Sequence, residues 1–164
     1  MGKIKNVLFL CSGNTSRSPA AEYLAKWLKA TKYREQLKGV SFDSAGLYSY
    51  YKTPREGTAK FLNSKGIDFN DFTGKQIDED LVKSQDLILG FENKWHVKKL
   101  KRRFKNLTEL DKKAQILLEF AEMGDNTEIP DPINFEPDEY WEVMERIEEG
   151  VDKCLQKIIE INHE

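Results

Sequence analysis

Cysteine is scarce in this chain, which has two such residues, Cys11 and Cys154, among 164. Two distant cysteines form neither a disulfide framework nor a cluster of metal ligands. Their scarcity excludes a small secreted domain held together by disulfides and favours a reducing compartment. We therefore expect a cytoplasmic protein.

Long apolar runs and an excess of one charge are also missing. The apolar run after the basic first residues, 7–10, is too short for a signal peptide or a membrane-spanning helix. The 26 Lys and Arg residues face 28 Asp and Glu residues, a formal net charge of −2. This balance argues against bulk attraction to nucleic acid or to an acidic membrane, so we expect neither partner.

What is present is the composition of one globular domain, residues 1–164, with 39% hydrophobic and 33% charged residues. Apolar segments typical of strands alternate with segments of helical period. This alternation predicts an α/β fold in three layers, in which helices cover both faces of a four-stranded parallel sheet. The strands are predicted at 6–10, 40–46, 86–90 and 115–120, and the helices from 19, at 53–65, 78–84, 92–104 and 137–162.

Two segments are open to a second interpretation. Residues 114–123 have a period that fits a helix as well as a strand. The basic run 98–105 suggests nucleic acid or acidic substrates, but on a helix these charges mostly face water. In that helix the spacing predicts Trp95, Leu100 and Phe104 as the inward residues.

Residues 11–18 join the first predicted strand to the helix that follows it. Such a loop directs backbone N–H groups and the positive end of a helix dipole at one point, which suits a tetrahedral oxyanion. It lies at the carboxyl end of a strand, where α/β folds bind ligands. Cys11 is therefore a candidate nucleophile, and Arg17 a candidate bidentate ligand of a phosphoryl group.

The other loop residues are expected to support this chemistry. Gly13 permits close approach of the backbone, and Asn14 tolerates the left-handed conformation that a tight turn needs. The Ser18 hydroxyl is a candidate donor to the sulfur. We expect the substrate phosphate to be bound by the loop residues Ser12, Gly13, Asn14, Thr15, Ser16 and Ser18.

A thiolate that attacks phosphorus also needs an acid that protonates the leaving oxygen. Asp131 is the candidate, because Pro130 and Pro132 restrict the backbone on both sides of it. The same pattern is also ordinary turn chemistry, so the local sequence leaves both interpretations open.

These residues resemble the low-molecular-weight protein tyrosine phosphatase family. The likeness rests on the Cys-x5-Arg-Ser loop at 11–18, on Ser44-Ala45-Gly46 and on Asp131-Pro132, and it extends over essentially the whole chain. The resemblance implies a phosphatase that acts on protein phosphotyrosine. With it we expect a flavodoxin-like sheet in the strand order 2-1-3-4.

The resemblance also implies roles for single residues. Cys11 forms a phosphocysteine, Asp131 acts first as general acid and then as base, and Asn14 bonds Ser44 to hold the loop. The implied partners are a phosphorylated protein or peptide and inorganic phosphate, which is both product and inhibitor. No metal and no cofactor are implied.

Four departures from the family pattern bear on oxidation and on substrate choice. Ser16 stands where many members have a second cysteine, so oxidised Cys11 has no neighbouring disulfide partner. We therefore expect peroxide inactivation that thiols reverse poorly. The other departures are Phe72 and Lys75, Gly90-Phe91-Glu92, and Ile133-Asn134-Phe135 after the acid.

Phosphoarginine is the alternative substrate. Thr15 matches the threonine that protein-arginine phosphatases of this family have after the loop asparagine, although many prokaryotic members share a small residue there. Tyr48, Tyr50 and Tyr51 follow the second strand, where the family places aromatic residues. Tyr50 is our candidate for stacking on a phosphotyrosine ring.

Two further functions fit part of the pattern. A thioredoxin-coupled arsenate reductase needs cysteines near the middle of the chain, whereas Cys154 lies on the apolar stripe of the last helix. A non-catalytic phosphate-binding module has no need of a nucleophile, an arginine and an acid together, and this chain has all three.

Overall fold

The protein is described by a computed structural model that covers residues 2–164. Four parallel strands form its central sheet in the order β2–β1–β3–β4. The three-layer class and the strand order 2-1-3-4 are therefore confirmed. The strands are β1 (Asn6–Cys11), β2 (Ser41–Gly46), β3 (Leu87–Gly90) and β4 (Ala114–Ile116).

Helices make the crossover connections that parallel strands need. Within residues 2–164 no helix combines the length and apolar character that crossing a membrane requires. A π-helical turn, Asn93–Lys98, precedes α4. The α-helices are α1 (Arg17–Thr31), α2 (Glu56–Ser64), α3 (Glu79–Ser84), α4 (Lys99–Arg103), α5 (Leu110–Lys113), α6 (Leu117–Phe120) and α7 (Pro137–Asn162).

Strand β1 is buried on both faces, and its side chains alternate between two cores. Val7, Phe9 and Cys11 face the larger core, which α1 and α7 cover. Leu8 and Leu10 face the smaller core under α3 and α4. Cys11 therefore ends the strand on the same face as α1, the helix that begins six residues later.

Helix α7 is the longest helix, and it begins with a capping box and with Pro137 in its first turn. Cys154 is completely buried on its apolar stripe, and burial raises the pKa of its thiol. This confirms the prediction that Cys154 packs in the core.

Three predicted boundaries were wrong by a few residues. The strand predicted at 115–120 ends at Ile116, and the following residues form α6, so each interpretation of 114–123 describes half of it. Strand β4 stops there because its partner β3 has no residue beyond Gly90 to pair with. Helix α1 begins earlier, at Arg17 rather than at Pro19. Helix α2 begins later than 53, at Glu56.

The prediction that Trp95 faces inward was also wrong, because 47% of it is exposed, while His96 is fully buried. The π-helical turn is the reason: the Val97 N–H reaches the Glu92 carbonyl, five residues back, at 3.5 Å. This wider turn rotates Trp95 outward and His96 inward. Leu100 and Phe104 pack in the smaller core as predicted.

Candidate active site

The end of β1 leads directly into a loop that closes at the N-terminus of α1. We call residues 11–18 the phosphate loop. Asn14 has a φ of +51°, the left-handed conformation predicted for it. Gly46 at the end of β2 packs against the loop, since a β-carbon on it would lie 3.0 Å from the Asn14 nitrogen and 1.9 Å from the Ser49 carbonyl oxygen. Only glycine allows this approach.

Cys11 Sγ lies 2.9 Å from Ser18 Oγ, inside the protein. Ser18 Oγ also accepts a hydrogen bond of 2.9 Å from Asn14 Nδ2. Because that bond uses the serine as acceptor, the hydroxyl proton is free to point at the sulfur. A donor aimed at sulfur stabilises negative charge there.

The Asn14 side chain is the centre of a buried network. Its Nδ2 donates to Ser44 Oγ at 2.9 Å, and Ser44 Oγ in turn donates to Glu22 Oε1 at 2.5 Å. The Lys75 backbone N–H donates to Asn14 Oδ1 at 3.0 Å. These bonds join the loop to α1, to β2 and to the segment before α3, and so hold its shape without a ligand.

Glu22 is a member of this network that the sequence did not reveal. It lies on α1 between apolar residues and is 4% exposed. Lys26 Nζ donates to Glu22 Oε2 at 2.6 Å. Burial raises the pKa of the Glu22 carboxyl, and the hydrogen bonds from Lys26 and Ser44 oppose that rise. The spacing of Glu22 and Lys26 predicts an ion pair on a helix but not its burial.

Arg17 is buried, with 2% of its surface exposed. Its Nη1 donates to the Ile129 carbonyl oxygen at 2.8 Å and lies 3.5 Å from Glu92 Oε1. The Phe91 ring lies beneath the guanidinium, 5.9 Å from its carbon to the ring centroid. The guanidinium is therefore oriented from one side, and Ile129 ties it to the segment that carries Asp131.

His96 lies behind the phosphate loop and was missed by sequence reasoning. Its Nδ1 accepts hydrogen bonds from the N–H groups of Phe91 and Glu92, both at 3.0 Å. In a neutral ring the proton is therefore assigned to Nε2, which lies 3.3 Å from Ser12 Oγ. Burial, and then the positive charge of Arg17, lower the pKa of His96 to about 3. The neutral imidazole therefore presents its Nε2 proton to Ser12, while Arg17 Nη2, which is also a donor, lies 3.4 Å from the same nitrogen.

Asp131 lies on an exposed segment that is anchored on both sides. The Ile129 N–H donates to the Phe91 carbonyl oxygen at 2.9 Å, and Pro132 is buried. Asp131 Oδ1 accepts from the Ile133 N–H at 3.1 Å. The segment that carries Asp131 is therefore tied to Arg17 through Ile129, and Asp131 itself is exposed to solvent.

Aromatic residues form the rim on the β2 side of the phosphate loop. Tyr48, Tyr50 and Tyr51 are each about half exposed. The Tyr51 ring packs against the loop, since a β-carbon on Gly13 would be 3.3 Å from its Cε2. Tyr50 makes no side-chain hydrogen bond within residues 2–164. Its role in stacking stays a prediction.

Thr15 lies at the edge of the phosphate loop, facing the start of α2. Its Oγ1 donates to the Thr53 carbonyl oxygen at a long 3.4 Å, and its own carbonyl oxygen accepts from the Arg55 N–H at 2.7 Å. Ser16 is buried, and its Oγ has no hydrogen-bond partner in the described part of the chain.

Two departures from the family pattern have structural roles. Phe72 packs edge-on against Tyr23 in the larger core, with ring centroids 6.1 Å apart. The Lys75 ammonium pairs with Asp43 at 2.7 Å. Phe72 therefore serves core packing, and Lys75 ties its own segment to β2.

Comparisons with known proteins agree with this geometry. The sequence matches the family described as low molecular weight phosphotyrosine protein phosphatase over residues 6–163. It is 32% identical over 160 residues to the low molecular weight protein-tyrosine-phosphatase YfkJ of Bacillus subtilis (strain 168), which covers 93% of this chain and 95% of that protein. It is 25% identical over 157 residues to Etp of Escherichia coli (strain K12), with coverage of 95% and 96%.

Solved structures show the same architecture. The crystal structure of YfkJ from Bacillus subtilis aligns with a TM-score of 0.82 at 28% identity and covers 96% of each chain. A mutant of YwlE from Bacillus subtilis aligns with a TM-score of 0.79 at 27% identity and covers 92% and 96%. A YwlE arginine phosphatase with a phosphorylated active-site serine aligns with a TM-score of 0.79 at 26% identity and covers 92% and 93%.

Proposed function

The chain belongs to the low molecular weight phosphotyrosine protein phosphatase family, and from this premise we propose that it hydrolyses protein phosphotyrosine through a phosphocysteine. The observation that carries the proposal is the hydrogen-bond chain behind the nucleophile. Ser44 orients Asn14, Asn14 orients Ser18, and Ser18 faces Cys11 Sγ at 2.9 Å. Such an arrangement supports a charged sulfur at the mouth of an anion site.

In the first step Cys11 Sγ attacks the phosphorus atom. The S–P bond forms while the bond from phosphorus to the tyrosine oxygen breaks, and Asp131 gives its proton to that leaving oxygen. The loop N–H groups and Arg17 neutralise charge on the phosphoryl oxygens in the transition state.

In the second step the Asp131 carboxylate takes a proton from water, whose oxygen attacks phosphorus. The S–P bond breaks, and the Ser18 hydroxyl stabilises the departing thiolate. Inorganic phosphate leaves, and because it fits the same loop it inhibits the enzyme. Phosphorylated proteins or peptides of the cytoplasm are the proposed partners, in the reducing compartment that a thiolate needs.

Phosphoarginine is the second candidate substrate. Thr15 supports it, as does the likeness to a YwlE structure whose title names an arginine phosphatase. Phosphotyrosine is favoured by the exposed tyrosines at 48, 50 and 51, since an aromatic rim suits an aromatic leaving group.

The test is a side-by-side measurement of kcat/KM on phosphotyrosine and phosphoarginine peptides of matched sequence. We expect the phosphotyrosine peptide to be preferred, and Cys11→Ser to abolish turnover while still binding vanadate. Turnover of phosphoarginine alone would establish the alternative substrate. A folded wild-type protein without turnover of para-nitrophenyl phosphate between about pH 5 and 8 would point to a binding module.

A further inference from the structure

A shallow cavity of about 250 Å³ opens beside the proposed active site. The start of α2, the start of α7 and the segment that follows Asp131 form its walls. Its volume is below the roughly 300–1,000 Å³ typical of pockets for small-molecule ligands, and suits one side chain. The lining includes Arg55, Ile133, Phe135, Tyr140 and Trp141.

Hydrogen bonds connect the walls of the cavity to the phosphate loop. The Arg55 N–H donates to the Thr15 carbonyl oxygen at 2.7 Å. On its floor the Tyr140 hydroxyl lies 2.7 Å from Thr58 Oγ1, which donates to the Ser16 carbonyl oxygen at 3.0 Å. A polypeptide that places a phosphate in the loop therefore passes close to this cavity on one side.

The lining of the cavity combines charged residues at the start of α2 with large apolar side chains that are open to solvent. Ile133, Phe135 and Trp141 are 50%, 36% and 39% exposed. These are large side chains, two of them at the turn that follows the proposed acid. Exposed apolar residues clustered in a concave surface mark a place where an apolar group binds.

Arg55 adds a charge to the rim of this cavity. Its Nε is buried without a hydrogen-bond partner, and it makes no ion pair within residues 2–164. The neighbouring Lys60, by contrast, is paired with Glu56 at 3.0 Å. Arg55 is thus a cation that lacks a counter-charge, which favours an acidic group on the occupant.

We propose that the cavity binds a large apolar side chain close to the phosphorylated residue of the protein substrate, and that Arg55 pairs with a carboxylate of the same segment. This proposal rests on the proposed function, because the phosphate loop holds the other end of that segment. According to this proposal the enzyme prefers substrates in which an apolar residue and an acidic residue lie next to each other near the phosphorylated residue.

The experiment uses phosphotyrosine peptides in which each flanking position in turn is Leu or Ala, with or without an adjacent Glu. We expect kcat/KM to be about tenfold higher for Leu at one flanking position. Trp141→Ala should remove this preference while turnover of para-nitrophenyl phosphate, which is too small to reach the cavity, changes less than about twofold. Arg55→Gln should remove only the preference for Glu, which added salt also weakens.

Trp95→Ala is the matched control, since Trp95 is 47% exposed, lies next to Tyr48 and does not line the cavity. It should keep the preference for Leu. If Trp141→Ala does not fold, Phe135→Ser tests the same wall. A wild-type enzyme without sequence preference, or a preference that survives both cavity variants, overturns the proposal. Loss of turnover on every phosphotyrosine compound would instead count against the proposed function.

Discussion

The phosphate loop and the segment that carries the proposed acid, residues 129–135, are built in opposite ways. In the loop, Asn14, Ser16, Arg17 and Ser18 are buried, and the side chains of Asn14 and Arg17 are bonded to other parts of the fold, at Ser44 and Ile129. In the acid segment, Asp131 is exposed and accepts one bond from within its own turn. Charge stabilisation benefits from groups fixed in advance, whereas a proton donor needs only to reach its partner.

Arg17 is the direct hydrogen-bonded link between the two regions, through the Ile129 carbonyl oxygen. We expect the two regions to differ in how well they tolerate substitutions. A change in the phosphate loop disturbs a network that spans three elements, while a change beyond Ile129 alters an exposed surface. The predictions below test that difference.

Among the following variants the largest effect is expected from Arg17→Lys, because Arg17 belongs to the phosphate loop and also binds the acid segment. Lysine keeps the charge but loses the planar fork that binds two phosphoryl oxygens and the Ile129 carbonyl. We expect kcat/KM for para-nitrophenyl phosphate to fall about 10³-fold. Inhibition constants for vanadate should rise in parallel. Equal inhibition of wild type and variant would show that Arg17 does not bind the phosphoryl group.

Asp131→Asn should separate the acid from the nucleophile. Because only a poor leaving group needs protonation, we expect turnover of phenyl phosphate to fall about 10²-fold and that of para-nitrophenyl phosphate much less. Stability in urea should change by less than about 0.5 kcal/mol, since the side chain is exposed. Equal slowing for both substrates would place the general acid elsewhere.

His96 gives the phosphate loop side of the site a pH dependence of stability. Its pKa falls from 6.5 to about 3 on folding, so acid protonates the unfolded chain first. Stability is full above about pH 6.5 and is lost as the pH falls towards 3, by about 2 kcal/mol at pH 5. Urea unfolding at several pH values measures this.

The chain has two histidines, which makes the control simple. His96→Gln should remove most of this pH dependence, and His163→Gln, at an exposed site, should keep it. In the wild type, the imidazole resonances of His96 should stay those of a neutral ring at pH 5. A protonated His96 at that pH would contradict the lowering of its pKa.

The smallest effect on basal turnover is expected from Ser16→Cys, because Ser16 Oγ has no hydrogen-bond partner within residues 2–164. The variant should instead change the response to oxidation. In the wild type, Cys154 is buried in α7, so oxidised Cys11 has no partner cysteine and peroxide inactivation should persist after dithiothreitol. In Ser16→Cys, dithiothreitol should restore most of the activity. Full recovery of the wild type would contradict this.

The parts of the fold that sequence predicted are those set by local pattern. Continuous apolar segments predicted the strands, and Asn14 was expected in the left-handed conformation that it adopts. The position of Cys11 at the carboxyl end of β1 followed from the same pattern. These features depend on neighbours in the chain and therefore need no knowledge of tertiary contacts.

The parts that sequence missed depend on contacts between distant residues. The spacing of Glu22 and Lys26 predicts a surface ion pair. Glu22 is instead buried, and it accepts a hydrogen bond from Ser44, which lies on another element. A regular helix would place Trp95 inward. The π-helical turn that places it outward has no periodic pattern in the sequence from which it could be predicted. A single histidine such as His96 likewise belongs to no sequence motif from which its hydrogen-bond partners could be predicted.

Gly90 has a consequence for how this sequence can change over time. A β-carbon at position 90 would lie 2.8 Å from the β-carbon of His96. Any larger residue at 90 displaces His96, so the two positions form a pair whose substitutions are not additive. A larger residue at position 90 therefore removes the hydrogen bond from His96 to Ser12 unless another donor replaces it. If the replacement donor arises before the substitution at position 90, Ser12 keeps a donor throughout; in the reverse order it lacks one in between.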